Sequence, residues 1–133
     1  MKGLFFTTQL ALSRINDNGR IINLGTGLTR ISYPVHAVYA ASKGSINVLT
    51  QHLAALLGAR GITANTLAPG AIDTDLNAER LRSEEGKAQT IATSAIKRIG
   101  MPDDIADVAS FLASNDSRWV TEQRIEASGG AHL

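Results

Sequence analysis

The sequence has no cysteine, so it can form neither a disulfide bond nor a thiolate metal site. It has only 3 histidines, and because none is spaced as metal ligands usually are, we expect no metal site. The formal net charge is only +1 and no basic block stands out, which argues against nucleic acid as a partner. No apolar run approaches the roughly 20 residues that a membrane helix needs, and the first residues lack a signal-peptide pattern. We therefore expect a cytoplasmic protein without a membrane partner.

The residues that are present fit an ordinary globular domain. Apolar residues make up 44% of the 133 positions and charged residues make up 19%. A chain of this length accommodates one domain, which we predict over residues 1–133. No internal repeat or low-complexity tract divides it.

Helical and extended patterns alternate along the chain. Apolar residues recur every three or four positions in the longer segments, and short apolar runs bounded by glycine or Pro-Gly favour buried strands. Loops are predicted over 26–37 and over 71–90, the second one mobile with short helical pieces. Strands joined by helical connections indicate an α/β fold, in which crossover helices link a parallel sheet of about three strands. The predicted helices cover 2–15, about 38–57 and a segment from 102 through 112, and the predicted strands cover 20–25, 62–68 and 123–128.

Tyr39 and Lys43 lie four residues apart near the start of the long helix, in the stretch HAVYAASKG. Residues at this spacing share one helix face, with about 5–6 Å between their Cβ atoms. An ammonium group at that distance favours the ionised form of a phenol, which could then exchange a proton with an alcohol or a carbonyl. Such pairs also occur by chance on helix surfaces, so the spacing alone gives weak support to a functional role.

Two loops leave the carboxyl ends of predicted strands near this pair. Thr26 follows the first strand, and the segment APGAIDTDL follows the second. Ligands of open parallel sheets bind at the carboxyl ends of the strands. The sequence therefore predicts that several polar groups converge at one edge of the sheet.

Five segments, taken in order, resemble the carboxyl-terminal half of a short-chain dehydrogenase/reductase, and they span nearly all 133 residues. They are KGLFFTTQ, GRIINLGTG, YAASKG, NTLAPGAIDTDL and RIGMPDDIADVASFLAS. Each segment is weak alone, but their order and spacing together make the resemblance specific. It implies a partial Rossmann-like three-layer fold, a cofactor that is NAD or NADP, and a small alcohol or carbonyl substrate.

The resemblance implies three catalytic residues. Tyr39 matches the general acid and base, and Lys43 matches the lysine that tunes this tyrosine and bonds the nicotinamide ribose. Thr26 stands where the family usually has a serine whose hydroxyl holds the substrate oxygen. Threonine offers the same hydroxyl, with a β-branch that stiffens χ1.

The resemblance also implies contacts to the cofactor. In the family, Pro69 and Gly70 shape the loop beside the nicotinamide. The backbone groups of Ile72 would bind its carboxamide, and the Thr74 hydroxyl would bind the carboxamide or the pyrophosphate. With the catalytic pair, the implied cofactor-binding residues are Tyr39, Lys43, Pro69, Gly70, Ile72 and Thr74.

The chain departs from the family pattern at several positions. The family's upstream glycine-rich turn and the residue that selects NAD or NADP are not found, so the choice of cofactor stays open. In LGTGLTR, Arg30 stands where a dinucleotide fingerprint needs its third glycine. Glu122 stands where the family usually has a glycine, so the turn that this glycine forms in the family is not assured here. Ser128 stands where the family usually has an aspartate.

Four other residues have simpler interpretations. We expect His36 at the surface or in the wall of a substrate pocket. Asp73 and Asp75 are expected to cap the following helical piece rather than to act as paired carboxylates. Trp119 is expected in the core or in an interface rather than as a stacking platform.

Two functional hypotheses remain open. The first is an NAD(P)-dependent oxidoreductase that interconverts an alcohol and a ketone. The second is a truncated, catalytically inactive fragment that acts only as a folded oligomerisation or interaction module. Under both hypotheses we expect a homo-oligomer, dimer or tetramer, because the strand over 20–25 would be an unpaired edge and the family packs the equivalent helices against a partner subunit. Complementation by a second chain is a third hypothesis, without direct support in the sequence.

Overall fold

Three parallel strands form a sheet that is packed against helices. A computed structural model describes residues 1–132. The α-helices within this range are Lys2–Ala11 (α1), Ala37–Leu57 (α2), Ala78–Arg82 (α3), Glu84–Ala92 (α4) and Pro102–Ala113 (α5). The strands are Arg20–Leu24 (β1), Thr63–Pro69 (β2) and Arg124–Ala127 (β3), and one-turn 3-10 helices occupy parts of the loops.

The central strand of the sheet is β2, in the order β1-β2-β3. Every residue of β1 pairs with a residue of β2, and the last of these pairs is Leu24↔Leu67. Strand β3 pairs with the carboxyl half of β2, ending at Pro69↔Ala127. Because the strands are parallel, their carboxyl ends meet at one edge of the sheet. The predicted α/β fold with a parallel sheet and crossover helices is confirmed.

A buried apolar cluster lies between α2 and the sheet. Leu53, Ala54 and Leu57 pack together with Ile62 and Ala64, and each is at most 5% exposed. Their spacing in α2 puts the apolar side chains on one helix face, and burial of that face fixes α2 over β2. Partly buried side chains that extend the cluster are Leu12, Ile15, Ile21 and Leu49.

A buried polar network ties α2 to two strands. The Asn23 side-chain amide donates to Thr50 Oγ1 at 2.9 Å, and the Thr66 hydroxyl donates to the same oxygen at 3.0 Å. Thr50 in turn donates to the Ile46 carbonyl at 2.8 Å. An unpaired polar group at such a buried site would cost about 1–3 kcal/mol, so the network specifies how α2 sits against β1 and β2.

Helix α1 is shorter than predicted: it ends at Ala11, whereas the predicted helix ends at residue 15. Arg60, which follows α2, donates to the carbonyls of Leu12 and Ile15. Its guanidinium also pairs with Asp17 at 2.8 Å. These bonds stabilise a turn after α1, and they come from a residue too distant in sequence for helical periodicity to reveal.

Residues 71–90 contain the predicted short helical pieces, and the second of them, α4, extends to Ala92. Helices α3 and α4 are separated by Ser83, whose φ of −85° and ψ of 139° interrupt the helical path. The Ser83 hydroxyl accepts the N–H of Gly86 at 3.0 Å and so caps α4. Serine followed by Glu84 and Glu85 is a helix-start signal that the loop prediction overlooked.

The remaining predicted elements are present, with small shifts at their ends. Helix α2 begins at Ala37, β2 runs to Pro69 instead of ending before it, and β3 covers only Arg124–Ala127. Among residues 1–132, no helix combines the length and the apolar character needed to cross a lipid bilayer.

Candidate active site

Thr26 lies just beyond the carboxyl end of β1 and is the N-cap of the one-turn helix Gly27–Thr29. Its backbone is extended, with φ −160° and ψ 152°, which suits a β-branched residue. The hydroxyl accepts the N–H of Leu28 at 3.4 Å, and the residue is 8% exposed. Because the oxygen acts as an acceptor here, the hydroxyl proton remains available to a ligand oxygen.

Tyr39 and Lys43 lie in the first turns of α2. Lys43 Nζ donates to the Leu24 carbonyl at 2.8 Å and lies 5.9 Å from the centroid of the Tyr39 ring. Since Leu24 is the last residue of β1, the ammonium group stands at the carboxyl end of that strand. Tyr39 is 41% exposed, so its phenol is open to a ligand. The structure brings Lys43 to the strand end that precedes Thr26, with the Tyr39 ring beside its ammonium group.

The loop after β2 is held by backbone and side-chain bonds. Ile72 forms an isolated parallel bridge with Gly100, in which the Asp73 N–H donates to the Gly100 carbonyl at 2.9 Å. The Ile72 carbonyl accepts the Asn77 side-chain amide at 2.8 Å and the Thr74 hydroxyl at 3.4 Å. The backbone groups of Ile72 are expected to bind a ligand. Because Asn77 and Thr74 already donate to its carbonyl, only its N–H is left for that ligand.

Close backbone packing fixes the start of this loop. A Cβ atom at Gly70 would come within 2.8 Å of both Cα and Cβ of Ser128, so glycine is required here. The Gly70 N–H donates to the Ala127 carbonyl at 3.1 Å, which continues the β2–β3 ladder beyond Pro69. The loop thus leaves the sheet in one fixed direction.

The polar groups at this edge include the donor and acceptor types that the nicotinamide end of a dinucleotide needs. A carboxamide needs a donor for its oxygen and an acceptor for its NH₂, and a ribose needs partners for its hydroxyls. The Ile72 N–H, the Thr74 hydroxyl and the Lys43 ammonium supply such groups. Their chemistry therefore matches the group that the family resemblance implies.

Glu126 on β3 also lies at this edge, although no sequence motif indicates it. Its carboxylate accepts two bonds from Arg30, each 3.1 Å long, and a bond of 2.8 Å from the Ser128 hydroxyl. Arg124 donates to it as well, at 3.1 Å. Burial raises the pKa of the Glu126 carboxyl group, but the bonds from Arg30, Ser128 and Arg124 outweigh burial and lower this pKa to about 2. Arg30 is 96 residues away in sequence, so no local pattern indicates the pairing.

The predictions for the four residues without a proposed catalytic role are confirmed only in part. His36 is exposed, in agreement with a surface position. The predicted capping by Asp73 and Asp75 is wrong, because the helix Asp75–Asn77 begins after Thr74 without a side-chain cap bond. Trp119 is 95% exposed, which excludes a place in the core and leaves the interface as a prediction.

The parallel sheet with polar groups at its carboxyl edge defines a Rossmann-like α/β protein. Residues 1–132 match the family model described as enoyl-(acyl carrier protein) reductase. The chain is 39% identical to the tetrahydroxynaphthalene reductase of Pyricularia oryzae, over 98% of this chain and 50% of that protein. It is 36% identical to a versicolorin reductase of Emericella nidulans, over 98% of this chain and 53% of that protein.

Solved structures agree with these matches. An angucycline C-6 ketoreductase with bound NADP has a TM-score of 0.88 and 41% identity, covering 97% of this chain and 49% of that one. A short-chain dehydrogenase/reductase of Serratia marcescens has a TM-score of 0.90 and 33% identity, covering 100% of this chain and 54% of that one. The chain belongs to the short-chain dehydrogenase/reductase family. It spans about half the length of the curated relatives it matches.

Proposed function

We propose that the protein is an NAD(P)-dependent oxidoreductase that interconverts an alcohol and a ketone of a small molecule. The observation that supports this most is the position of the Lys43 ammonium group. It is held on the Leu24 carbonyl at 2.8 Å and lies 5.9 Å from the Tyr39 ring centroid, at the carboxyl edge of the sheet. This is the edge where ligands of parallel α/β sheets bind.

In this proposal Tyr39 handles the proton. Its exposed phenol donates a proton to the carbonyl oxygen during reduction and accepts one from the alcohol during oxidation. Lys43 places a positive charge beside the ring, where it stabilises the negative charge that develops on the phenol oxygen. Thr26 donates its hydroxyl proton to the same substrate oxygen and thereby orients it, because its own oxygen already accepts the Leu28 N–H.

The cofactor is proposed to lie along the same edge. The Ile72 N–H and the Thr74 hydroxyl would hold the nicotinamide carboxamide, and Lys43 and Tyr39 would contact its ribose. Pro69 and Gly70 would act indirectly, by fixing the direction in which the loop leaves β2. The bound nicotinamide supplies or accepts the hydride, which is chemistry that protein side chains lack. Both NAD and NADP remain candidates.

A matched pair of tyrosine substitutions tests the proton role. The sequence has 2 tyrosines, and Tyr39→Phe removes the proposed acid and base while Tyr33→Phe removes the other phenol. With NADPH or NADH and a panel of ketones plus tetrahydroxynaphthalene, a polyphenol that is reducible through its keto tautomer, we expect kcat to fall roughly 10²- to 10⁴-fold for Tyr39→Phe. Tyr33→Phe is expected to stay within about fivefold of the unsubstituted protein.

Two outcomes would contradict the proposed function. One is the absence of cofactor-dependent turnover across the panel. The other is turnover that Tyr39→Phe leaves unchanged.

A second candidate function is that of a folded interaction module without catalysis. One observation favours it: β1 has no further strand beside it among the described residues. An edge strand with unpaired backbone groups tends to recruit another chain. A fluorescence titration with NADH and NADPH separates the two candidates. Saturable micromolar binding supports the oxidoreductase, and a flat titration supports the inactive module.

A further inference from the structure

Strand β3 carries two long charged side chains on one face. Arg124 and Glu126 are two residues apart, so both point to the same side of the sheet. Their strand lies beside β2 and not beside β1. The register sets Glu126 next to Ala68, whose methyl group is small enough for longer side chains to cross over it. The two side chains can therefore extend across β2 toward the loop that follows β1.

The Glu126 carboxylate holds two guanidinium groups from different parts of the chain. Arg30 binds it through Nε and Nη2, each at 3.1 Å, in the bidentate geometry that makes arginine–carboxylate pairs strong. Arg124 donates to Glu126 Oε2 from Nη1 at 3.1 Å and from Nη2 at 3.2 Å. The Glu126 and Arg124 side chains are only 16% and 25% exposed, so solvent screens their ion pair less than an open surface pair.

Arg124 also binds the backbone of Thr26, the residue whose hydroxyl lies at the end of β1. Its Nη2 donates to the Thr26 carbonyl at 3.1 Å, and its Nε donates to Thr29 Oγ1 at 3.1 Å. The Thr29 hydroxyl donates to the same Thr26 carbonyl at 3.1 Å and accepts the Asn47 side-chain amide at 3.2 Å. The Thr26 carbonyl thus accepts from Arg124, from the Thr29 hydroxyl and, at 3.5 Å, from the Thr29 N–H. Arg124 makes the first of these bonds directly and contacts the second through the Thr29 hydroxyl.

We propose that Arg124 is a positioning residue that sets the orientation of the Thr26 hydroxyl, and that Glu126 and Arg30 hold the Arg124 guanidinium in place. This inference rests on the proposed function, because it concerns the hydroxyl that orients the substrate oxygen. Fixing the Thr26 carbonyl fixes ψ of that residue, and the short helix after it supplies the Leu28 N–H to the hydroxyl. A charge-assisted bond holds such a geometry better than a neutral one.

Amide hydrogen exchange tests the structural part of the proposal without any need for activity. Arg124→Gln and Glu126→Gln are expected to speed exchange of the amides of residues 28–30 about tenfold or more. The amides of β2 should change less than twofold. Asp17→Asn is the matched control, since it removes an arginine–carboxylate pair at Arg60, away from Thr26. Unchanged exchange over 28–30, or an equal rise in β2, would overturn the proposal.

Steady-state kinetics test the catalytic part. For Arg124→Gln we expect kcat for ketone reduction to fall 10- to 100-fold while KM for the cofactor stays within about twofold. Arg124→Lys, which keeps a charged donor, should recover part of kcat, whereas a general loss of stability would not respond in this way. If the unsubstituted protein turns over and Arg124→Gln equals it, the positioning role is wrong while the proposed function stands. If the unsubstituted protein shows no turnover, the proposed function itself fails.

Discussion

Thr26 shows how one side chain joins local backbone geometry to the proposed chemistry. Its extended backbone and nearly buried hydroxyl place one donor at the end of β1. Thr26→Ala removes that donor, and we expect kcat to fall roughly 10²-fold, as for the loss of one donor to a reacting oxygen. Thr26→Ser keeps the hydroxyl and should retain activity within about fivefold. Equal activity of Thr26→Ala and the unsubstituted protein in the ketone assay would exclude a role for this hydroxyl.

Glu122 is a second residue whose backbone decides the outcome of a substitution. It adopts a left-handed backbone with φ 63°, a conformation that favours glycine. Its N–H donates to the Ala64 carbonyl at 2.8 Å, so the turn forms despite the side chain. A left-handed non-glycine residue costs about 1–2 kcal/mol, so Glu122→Gly should raise the free energy of unfolding by up to about 1 kcal/mol. Urea denaturation measures this, and a loss of stability would show that the Glu122 side chain contributes more than its backbone costs.

At the scale of elements, β3 links the sheet to the loop after β1 through Glu126. Its pKa is about 2 in the folded protein and ordinarily 4.5, so the folded state stabilises the ionised form. The stability that this group contributes is complete above pH 4.5 and is lost as pH falls from there toward about 2. The difference in free energy of unfolding between the unsubstituted protein and Glu126→Gln should therefore shrink over this range. A difference that stays constant between pH 6 and pH 2.5 would contradict this assignment.

The elements differ in how far the sequence alone could predict them. The apolar periodicity of α2 and the short apolar runs of the strands are local patterns, and they gave the parallel sheet correctly. The end of α1 depends on Arg60, and the loop after β1 depends on Glu126, so both are decided by contacts that are distant in sequence. The start of α4 was readable from Ser83 and its acidic neighbours, and it was overlooked.

The residues of the candidate site also differ in whether the sequence alone could predict them. The family motif indicated Tyr39, Lys43 and Thr26, and the structure brings the lysine to the strand end that precedes Thr26. No motif indicated Arg124 or Glu126, because their roles follow from side chains that cross a neighbouring strand. A sequence motif therefore indicated the groups that we propose to act on a ligand, whereas the groups that we propose to hold them were found only in the tertiary structure.

At the scale of the whole molecule, exposed apolar side chains on α1 and α2 favour self-association. Phe5, Phe6 and Leu10 of α1 are 42%, 49% and 75% exposed, and Leu56 of α2 is 67% exposed. We expect a dimer or tetramer by light scattering, and Leu10→Glu should shift it toward monomer because a buried unpaired charge opposes association. Leu76→Glu, at a leucine that is 85% exposed after β2, is the matched control and should not change the mass. A soluble monomer at micromolar concentration would remove this prediction.

The most direct test of the central claim follows deuterium from the cofactor to the product. The protein is incubated with a ketone and NADPH or NADH deuterated at the transferable position, and the alcohol is analysed by mass spectrometry. We expect one deuterium on the carbinol carbon with the unsubstituted protein, and at least 100-fold less labelled alcohol with Tyr39→Phe. Labelled alcohol formed equally by both proteins, or by neither, would contradict the assignment of this strand edge as an oxidoreductase site.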